Sequence, residues 1–577
     1  MSDHTPGTTG PEEAPEPSGP TERVGTSAQA ASAKAPPEPG DGIPEPPRTP
    51  KYAQQQGRRQ PPPSHWQPRR PQEPVLTRLR PAAPAPIRGA TLCCVLVTAL
   101  LSALLLGDGL GPNLLIVAVP ASLGAFYAAR AAGRRLRPWT ACWAVGGLAL
   151  LALPALRDAG WPVFLAVISA IALGSLALHG SRSWLGVFLG SLGLFSSIAD
   201  GLAWGGRGVH ARVADSRGRL GVILRSGGVA IVLLVVFGAL FASADAAFAD
   251  VLGDLMPDAS MKDSPWRVLL FVTGLIGALA AAYAAAAPVR WDGITIRPGK
   301  ARGRVEWALP LIVLNLLFAG FIAIQLTVLL GGYDKVMAET SLSHAQYARQ
   351  GFWQLLWATL LTLLVIALAL RWAPRGREGD RTLVRSVLGV LCLLTLTVVA
   401  SALRRMDLYV DEYGLTRLRI SVAAVELWLG VVIVLILVAG VFGARLLPRA
   451  VAVSAAVAVL TFGLVSPDGL IAEQNVQRYR DDRSIDISYL RGLSADAVPA
   501  LNTLPEPLRS CALMDIEQSL RSDDASWYAT DLGEARARDI LRKKPISSDP
   551  VQSCMASRTG GNDGETGVDQ YDPYDPY

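Results

Sequence analysis

Ionisable side chains crowd into one stretch of an otherwise apolar chain, Arg404 to Glu426, which reads RRMDLYVDEYGLTRLRISVAAVE. It sets Asp407, Tyr409, Asp411, Glu412 and Tyr413 beside Arg404, Arg405, Arg417 and Arg419. Carboxylates among guanidinium groups can hold a charged substrate, relay protons or pair with one another. Glu426 follows one to two turns into the next apolar run, and Arg419, Val422 and Glu426 are spaced i, i+3 and i+7, so they share one helix face. A carboxylate at that depth should face a bundle interior or water, and by default it marks a substrate or proton path. Its expected partner is Arg419 or a cation on a neighbouring helix. Two other readings stay open: anchoring ion pairs at the entrance of a membrane span, and an extracytoplasmic catalytic site.

A second polar stretch, Gly332 to Leu355, carries YDK at 333–335 and His344, Tyr347 and Arg349 in HAQYARQGFWQLLW. Asp200, Asn315 and Gln325 are further polar candidates inside apolar runs. Familiar reaction motifs do not occur. There is no GxSxG or SxxK for nucleophilic catalysis, no Walker A loop for ATP and no CxxC for zinc. The five histidines never fall two to a helical turn, which argues against a histidine metal centre. No catalytic residue, metal or cofactor is therefore expected.

These residues would be carried by long apolar helices. A stretch such as Val305 to Leu330 has one charge, at its start, and about 20 apolar residues suffice to cross the hydrocarbon core. Spans are expected near 89–106, 111–129, 138–156, 160–178, 183–204, 226–246, 266–288, 305–330, 352–370, 384–402, 420–442 and 448–466. The fold class expected is all-α, a polytopic transmembrane bundle of about eleven or twelve helices. Only 18% of the 577 residues are charged. The net charge of +6 does not indicate nucleic acid, because the basic residues sit in loops beside spans. Small residues in GSLGLFSS (190–197) and GLIGALAAAYAAAA (274–287) suit close helix contacts in lipid.

The loops also set a topology. Loop 130–137 has four arginines, and 205–225 has Arg207, Arg212, Arg217, Arg219 and Arg225 against Asp215, so both belong on the cytoplasmic side. Loop 244–265, with five aspartates against Lys262, lacks that excess. An even number of crossings must separate 130–137 from 205–225, yet three candidates lie between them. The stretch 183–204, with Asp200 and several Gly and Ser, is the one expected to be re-entrant. That gives eleven crossings in the plasma membrane, a cytoplasmic N-terminus and an extracytoplasmic C-terminus. The alternative is twelve crossings with the C-terminus inside.

Residues 1–87 hold 21 of the 41 prolines and read as a disordered cytoplasmic tail, with PPP at 61–63 open to a proline-reading partner. Residues 88–466 are the transmembrane domain, 467–545 a small soluble helical domain and 546–577 a disordered polar tail. Cys511 and Cys554 are the only cysteines outside the apolar portion. They form a disulfide if that domain is extracytoplasmic, and stay free thiols otherwise.

Four segments in order, FASADAAFAD (241–250), YARQGFWQLLW (347–357), RMDLYVDEYGLTRLR (405–419) and IAEQNVQRYRDDRSIDISYLRGLSADAVPAL (471–501), resemble a family of bacterial multi-pass membrane proteins. It is the domain-of-unknown-function group numbered 4153/4173, common in actinobacteria. The resemblance covers about 225–505. It implies a plasma-membrane location and a helical C-terminal part, and it transfers no catalytic residues. The function expected is a non-enzymatic envelope role, as a signalling or assembly partner of another membrane or envelope protein. A secondary transporter would instead have Glu426, Asn315 and Gln325 lining a midplane cavity. A membrane-embedded envelope enzyme would need the Asp407–Glu412 cluster and His344 in one outward cleft.

Overall fold

The computed structural model describes residues 84–215, 264–294, 302–330, 344–374, 376–481, 484–522 and 526–547, with scattered single positions besides. The side chains of 344–352 lie outside that description. So do most of the proline-rich arm, the span expected at 226–246, the acidic loop at 244–263, YDK at 333–335 and most of 546–577. The described residues fall in one compact unit, Glu73–Tyr577, and contain helices without any strand.

Eighteen α-helices occur among the described residues. The membrane portion runs α1 (Gly89–Leu105), α2 (Asn113–Ala131), α3 (Pro138–Leu151), α4 (Gly160–His179), α5 (Trp184–Ser191), α6 (Gly193–Ser196), α7 (Ile198–Asp215), α8 (Ser264–Ala286), α9 (Arg304–Leu330), α10 (His344–Trp372), α11 (Glu378–Tyr413), α12 (Arg417–Phe442) and α13 (Leu447–Leu464). Nine of these, α2–α4 and α8–α13, are long and apolar enough to span a bilayer, and α1 is a shorter apolar helix. Large apolar side chains such as Leu316, Leu317 and Ile324 face outward, as lipid-facing residues do. The chain is a multi-pass helical membrane protein.

Two helix groups share the bundle. Helix α8 packs on α1, α2 and α7, while α11 packs on α9, α10 and α12. Helix α13 joins them by lying against both α12 and α4. Small residues set the closest approaches. A Cβ on Gly201 of α7 would sit 3.0 Å from the Leu279 carbonyl oxygen and 3.1 Å from the Ala280 Cα of α8. Gly274 of α8 is pressed against Ala99 and Ser102 of α1. Without a hydrophobic drive between helices in lipid, such contacts carry the packing through dispersion.

The stretch 183–204 does not form one continuous span. It breaks after Ser191 and again after Ser196, into α5, α6 and the start of α7. The freed backbone is satisfied locally, as the Ser175 hydroxyl donates to the Gly190 carbonyl and accepts from the Leu194 N–H. Both ends of the segment meet basic loops. Ser183 bonds to Asp292, and Arg212 donates to the Ile87 carbonyl at the start of α1.

Beyond α13 the chain forms α14 (Pro467–Arg480), α15 (Ile487–Arg491), α16 (Val498–Leu501), α17 (Leu508–Ser522) and α18 (Leu532–Lys543). Ile471, Val476, Leu490, Val498, Leu501, Leu513 and Ile516 make one core here, which Leu415 and Ile420 of the bundle also join. Cys511 and Cys554 form a disulfide, with Cα atoms 4.8 Å apart.

Replacing Gly201 by Val should lower the melting temperature in detergent, because the opposing backbone cannot yield, at about 1–3 kcal/mol for overpacking. Gly206→Val, with nothing within 4 Å of its Cβ position, should leave the melting curve in place.

Candidate functional site

Helix α11 stops at Gly414, whose φ of 80° takes the chain into the left-handed region. A Cβ there would lie 2.2 Å from Asn475 Oδ1, so glycine lets α14 approach. The last carbonyls of α11 need donors, and two arginines supply them. Arg478 donates to the carbonyls of Asp411, at 3.1 Å, and Glu412. Arg419 donates to those of Tyr413, at 3.0 Å, and Gly414, and its guanidinium stacks 4.3 Å from the Tyr409 ring centre.

Arg417, in the first turn of α12, makes the strongest contact of the cluster. Its Nε and Nη2 donate to the two carboxylate oxygens of Asp468 at 2.9 and 2.6 Å. Asp468 is fully buried, and it also accepts the Ser494 N–H at 2.9 Å. The Arg417 backbone N–H donates to the Tyr489 hydroxyl at 2.7 Å, and its Nη2 to the Gly492 carbonyl at 3.0 Å. Burial pushes the Asp468 carboxyl up, but Arg417 and the Ser494 N–H more than offset this and hold it below the usual carboxylate range. Asp407, Asp411 and Glu412 are exposed at the end of α11.

Glu426 has no solvent exposure and lies where α12 meets α10. Its Oε1 accepts the Thr359 hydroxyl at 3.0 Å, and its Oε2 has no hydrogen-bond partner. The expected Arg419 pairing does not form. Arg419 sits two turns earlier, where the open carbonyls of Tyr413 and Gly414 are nearer than Glu426 and the Tyr409 ring covers the guanidinium.

Asn315 and Gln325 face α11 instead. Asn315 Nδ2 donates to the Val387 carbonyl at 3.1 Å, and Gln325 Oε1 accepts the Ser401 hydroxyl at 2.5 Å. The three polar residues are not brought to a shared cavity. A cavity of about 360 Å³ opens elsewhere, lined by Ala121, Ala125, Arg134, Gly147 and Ala170. Asp200 is half-buried in the first turn of α7. Tyr347, Arg349 and His344 belong to the start of α10, with side chains outside the described residues.

A second polar centre, absent from the sequence expectations, lies where the loop after α3 meets the C-terminal helices. Carboxylate oxygens of Asp158, Asp531 and Glu534 lie within 4.8 Å of one another. Asp531 caps α18 by accepting the Glu534 N–H at 2.9 Å, and Asp158 accepts the Ala495 N–H at 2.6 Å. Arg157 approaches Asp496 at 3.6 Å. Burial, aided by the charges of Asp158, Glu534 and Asp496, pushes the Asp531 carboxyl up to about 7 against the opposing Glu534 N–H. Burial likewise raises Asp496, with Asp158 adding to the shift and Arg157 opposing it. Asp158 and Asp531 are too far apart in the chain for any local spacing to link them.

These features define a polytopic helical membrane protein with a helical extension fastened to one end of its bundle. The chain belongs to the family described as Domain of unknown function (DUF4153), whose model matches residues 144–504. That match begins well before the 225 expected from the four segments. Neither a curated protein nor a solved structure matches the chain.

Breaking the Arg417–Asp468 pair should be asymmetric. Arg417→Met strands a fully buried carboxylate and should cost about 3–5 kcal/mol. Asp468→Asn leaves an arginine side chain that is 41% exposed, and should cost about 1–2 kcal/mol. Thermal melting in detergent separates the two. The depressed Asp468 pKa stabilises the fold in full above the unfolded-chain value near 3.9, and that contribution is lost as pH falls through the lower folded value. The gap in melting temperature between wild type and Asp468→Asn should therefore be constant from about pH 7 to 5 and close below about pH 4.

Proposed function

We propose that this chain is a non-enzymatic plasma-membrane protein that holds a small helical domain on the extracytoplasmic face, as a signalling or assembly partner in the envelope. The observation that carries this reading is the buried Arg417–Asp468 pair, which locks α14 to the first turn of α12. The arginines of the 404–426 stretch that looked chemical are engaged in that lock and in capping α11, not in lining a cleft.

Charge asymmetry supports the placement. Arginine loops meet at one end of the bundle, where Arg134 donates to the Leu178 and Ala285 carbonyls and Arg449 to the Ser181 carbonyl. The C-terminal helices meet acidic loops at the other, through Tyr528 on Asp108 and Ala495 on Asp158. Arginine loops belong on the cytoplasmic side. The Cys511–Cys554 disulfide suits an oxidising compartment. With 183–204 dipping and returning, the chain makes eleven crossings from a cytoplasmic N-terminus. Trp527 and Leu532, 75% and 63% exposed on the C-terminal part, offer apolar surface to a partner.

A secondary-transport reading keeps one specific support, the buried Glu426 Oε2 without a partner.

Alkaline phosphatase fused to the C-terminus should be active, whereas a fluorescent protein that folds only in the cytoplasm should stay dark there. The reverse pattern would refute the placement. A photo-crosslinking residue at Trp527 should give a discrete adduct in cells, and its absence would count against a partner role. Glu426→Gln should melt near wild type and leave ion gradients across reconstituted vesicles unchanged. Loss of a wild-type proton flux in that variant would favour the transporter instead.

A further inference from the structure

We propose that Asp158, Asp531 and Glu534, with Asp496 beside them, hold a divalent cation, Ca²⁺ by preference, that ties the C-terminal helices to the loop between α3 and α4. The donor set is all carboxylate oxygen, which suits hard cations rather than zinc or copper. Three carboxylates within 4.8 Å of one another, drawn from two remote parts of the chain, can bind one ion together.

An acidic cluster alone would not carry this. Two further groups point to a missing ligand. The Asp496 side chain is 2% exposed, yet its Oδ2 has no hydrogen-bond partner. It leans toward the cluster, since a Cβ on Gly533 would touch both Asp496 Oδ1, at 2.5 Å, and Asp531 Oδ1, at 3.0 Å. The Ser466 hydroxyl, on a residue 5% exposed, lies beside Asp496 outside hydrogen-bond geometry and has no partner of its own. A neutral hydroxyl and a carboxylate oxygen left open at one buried spot are oxygen donors that a cation or its bound water would satisfy. Gly533 keeps that spot open, because any side chain there would collide with both aspartates.

The charge balance agrees. Arg157 and Arg538 bring two positive charges to four carboxylates. The junction gathers the α3–α4 loop, the start of α14 and the cap of α18, so a bound ion would brace the domain at a point separate from the Arg417–Asp468 pair. The preference for Ca²⁺ over Mg²⁺ rests on the extracytoplasmic placement proposed above, where free Ca²⁺ is abundant. The site itself does not depend on it. An active phosphatase fusion without cation binding would sink the site and spare the placement. Binding in a chain whose fusion is inactive would do the opposite.

The test is calorimetric titration of the full-length protein in detergent, stripped with EDTA, with CaCl₂ and separately with MgCl₂. We expect one saturable Ca²⁺ site per chain with Kd of about 0.1–1 mM, the range of extracellular modules. The melting temperature should rise by several degrees over the same concentrations. Asp531→Asn keeps a helix cap, and Asp158→Asn keeps an acceptor for the Ala495 N–H. Both should melt like wild type in EDTA while Ca²⁺ binding weakens at least tenfold. Glu534→Gln, which leaves both of those bonds intact, serves if either fails to fold. No saturable heat up to about 10 mM CaCl₂, ten times the weakest Kd expected, overturns the proposal. So does undiminished binding in the folded variants.

Discussion

A carboxylate shut away from water must find its counter-charge inside the protein, and Asp468 finds it in Arg417. Much else at this end of the molecule follows from that pairing. It fixes the second residue of α14 against the first of α12, which leaves α14 running past the end of α11. Only then can Arg478 reach the last carbonyls of α11 and Asn475 the Leu415 carbonyl. A buried ion pair is not in itself a large source of stability, because desolvation consumes much of its Coulomb energy. Its value is directional. Two parallel N–H···O bonds admit one orientation, so the C-terminal helices have one seat on the bundle.

The bundle was legible because the signal for a span is local. Each of α2–α4 and α8–α13 carries its own apolar window, and no knowledge of neighbours is needed to see it. The break in 183–204 could also be read, since Gly and Ser interrupt the window and the arginine count on either side forbids a third crossing. Glu426 stood out for the same reason, as a charge where lipid penalises charge. What the sequence hid was pairing. Arg417 and Asp468 stand 51 residues apart with nothing in either segment to link them, and Asp158 and Asp531 lie further still. Arg419 was assigned to Glu426 because helical spacing put them on one face. The rule that unsatisfied carbonyls at a helix end compete for donors was the stronger one.

Polar residues within the spans divide by what they touch. Asn315, Gln325 and Trp307 each bond across to another helix, Asn315 and Trp307 to a main-chain carbonyl and Gln325 to a hydroxyl. Such bonds hold helices in register in lipid and are worth about 0.6 kcal/mol each on average. Glu426 differs in having one oxygen satisfied and one open. Its single partner, Thr359, is neutral, so no fixed counter-charge accompanies it there.

The two ends of the bundle use opposite chemistry for one problem. A helix that stops near the membrane surface leaves carbonyls at its C-terminus and N–H groups at its N-terminus unpaired. Arginines close the carbonyl ends: Arg134 at α4 and α8, Arg157 at α13, and Arg419 and Arg478 at α11. Carboxylates close the N–H ends: Asp292 before α5, Asp380 before α11 and Asp531 before α18. The helix dipole favours both choices. The basic loops are therefore structural as well as topogenic. An arginine that steers a span to the cytoplasmic side also caps the helices meeting there, and one substitution can disturb insertion and packing together. The acidic end has no such double duty, because aspartate contributes little to orientation. Its carboxylates are spared that constraint, and that is where they have gathered most densely, around Asp158 and Asp531.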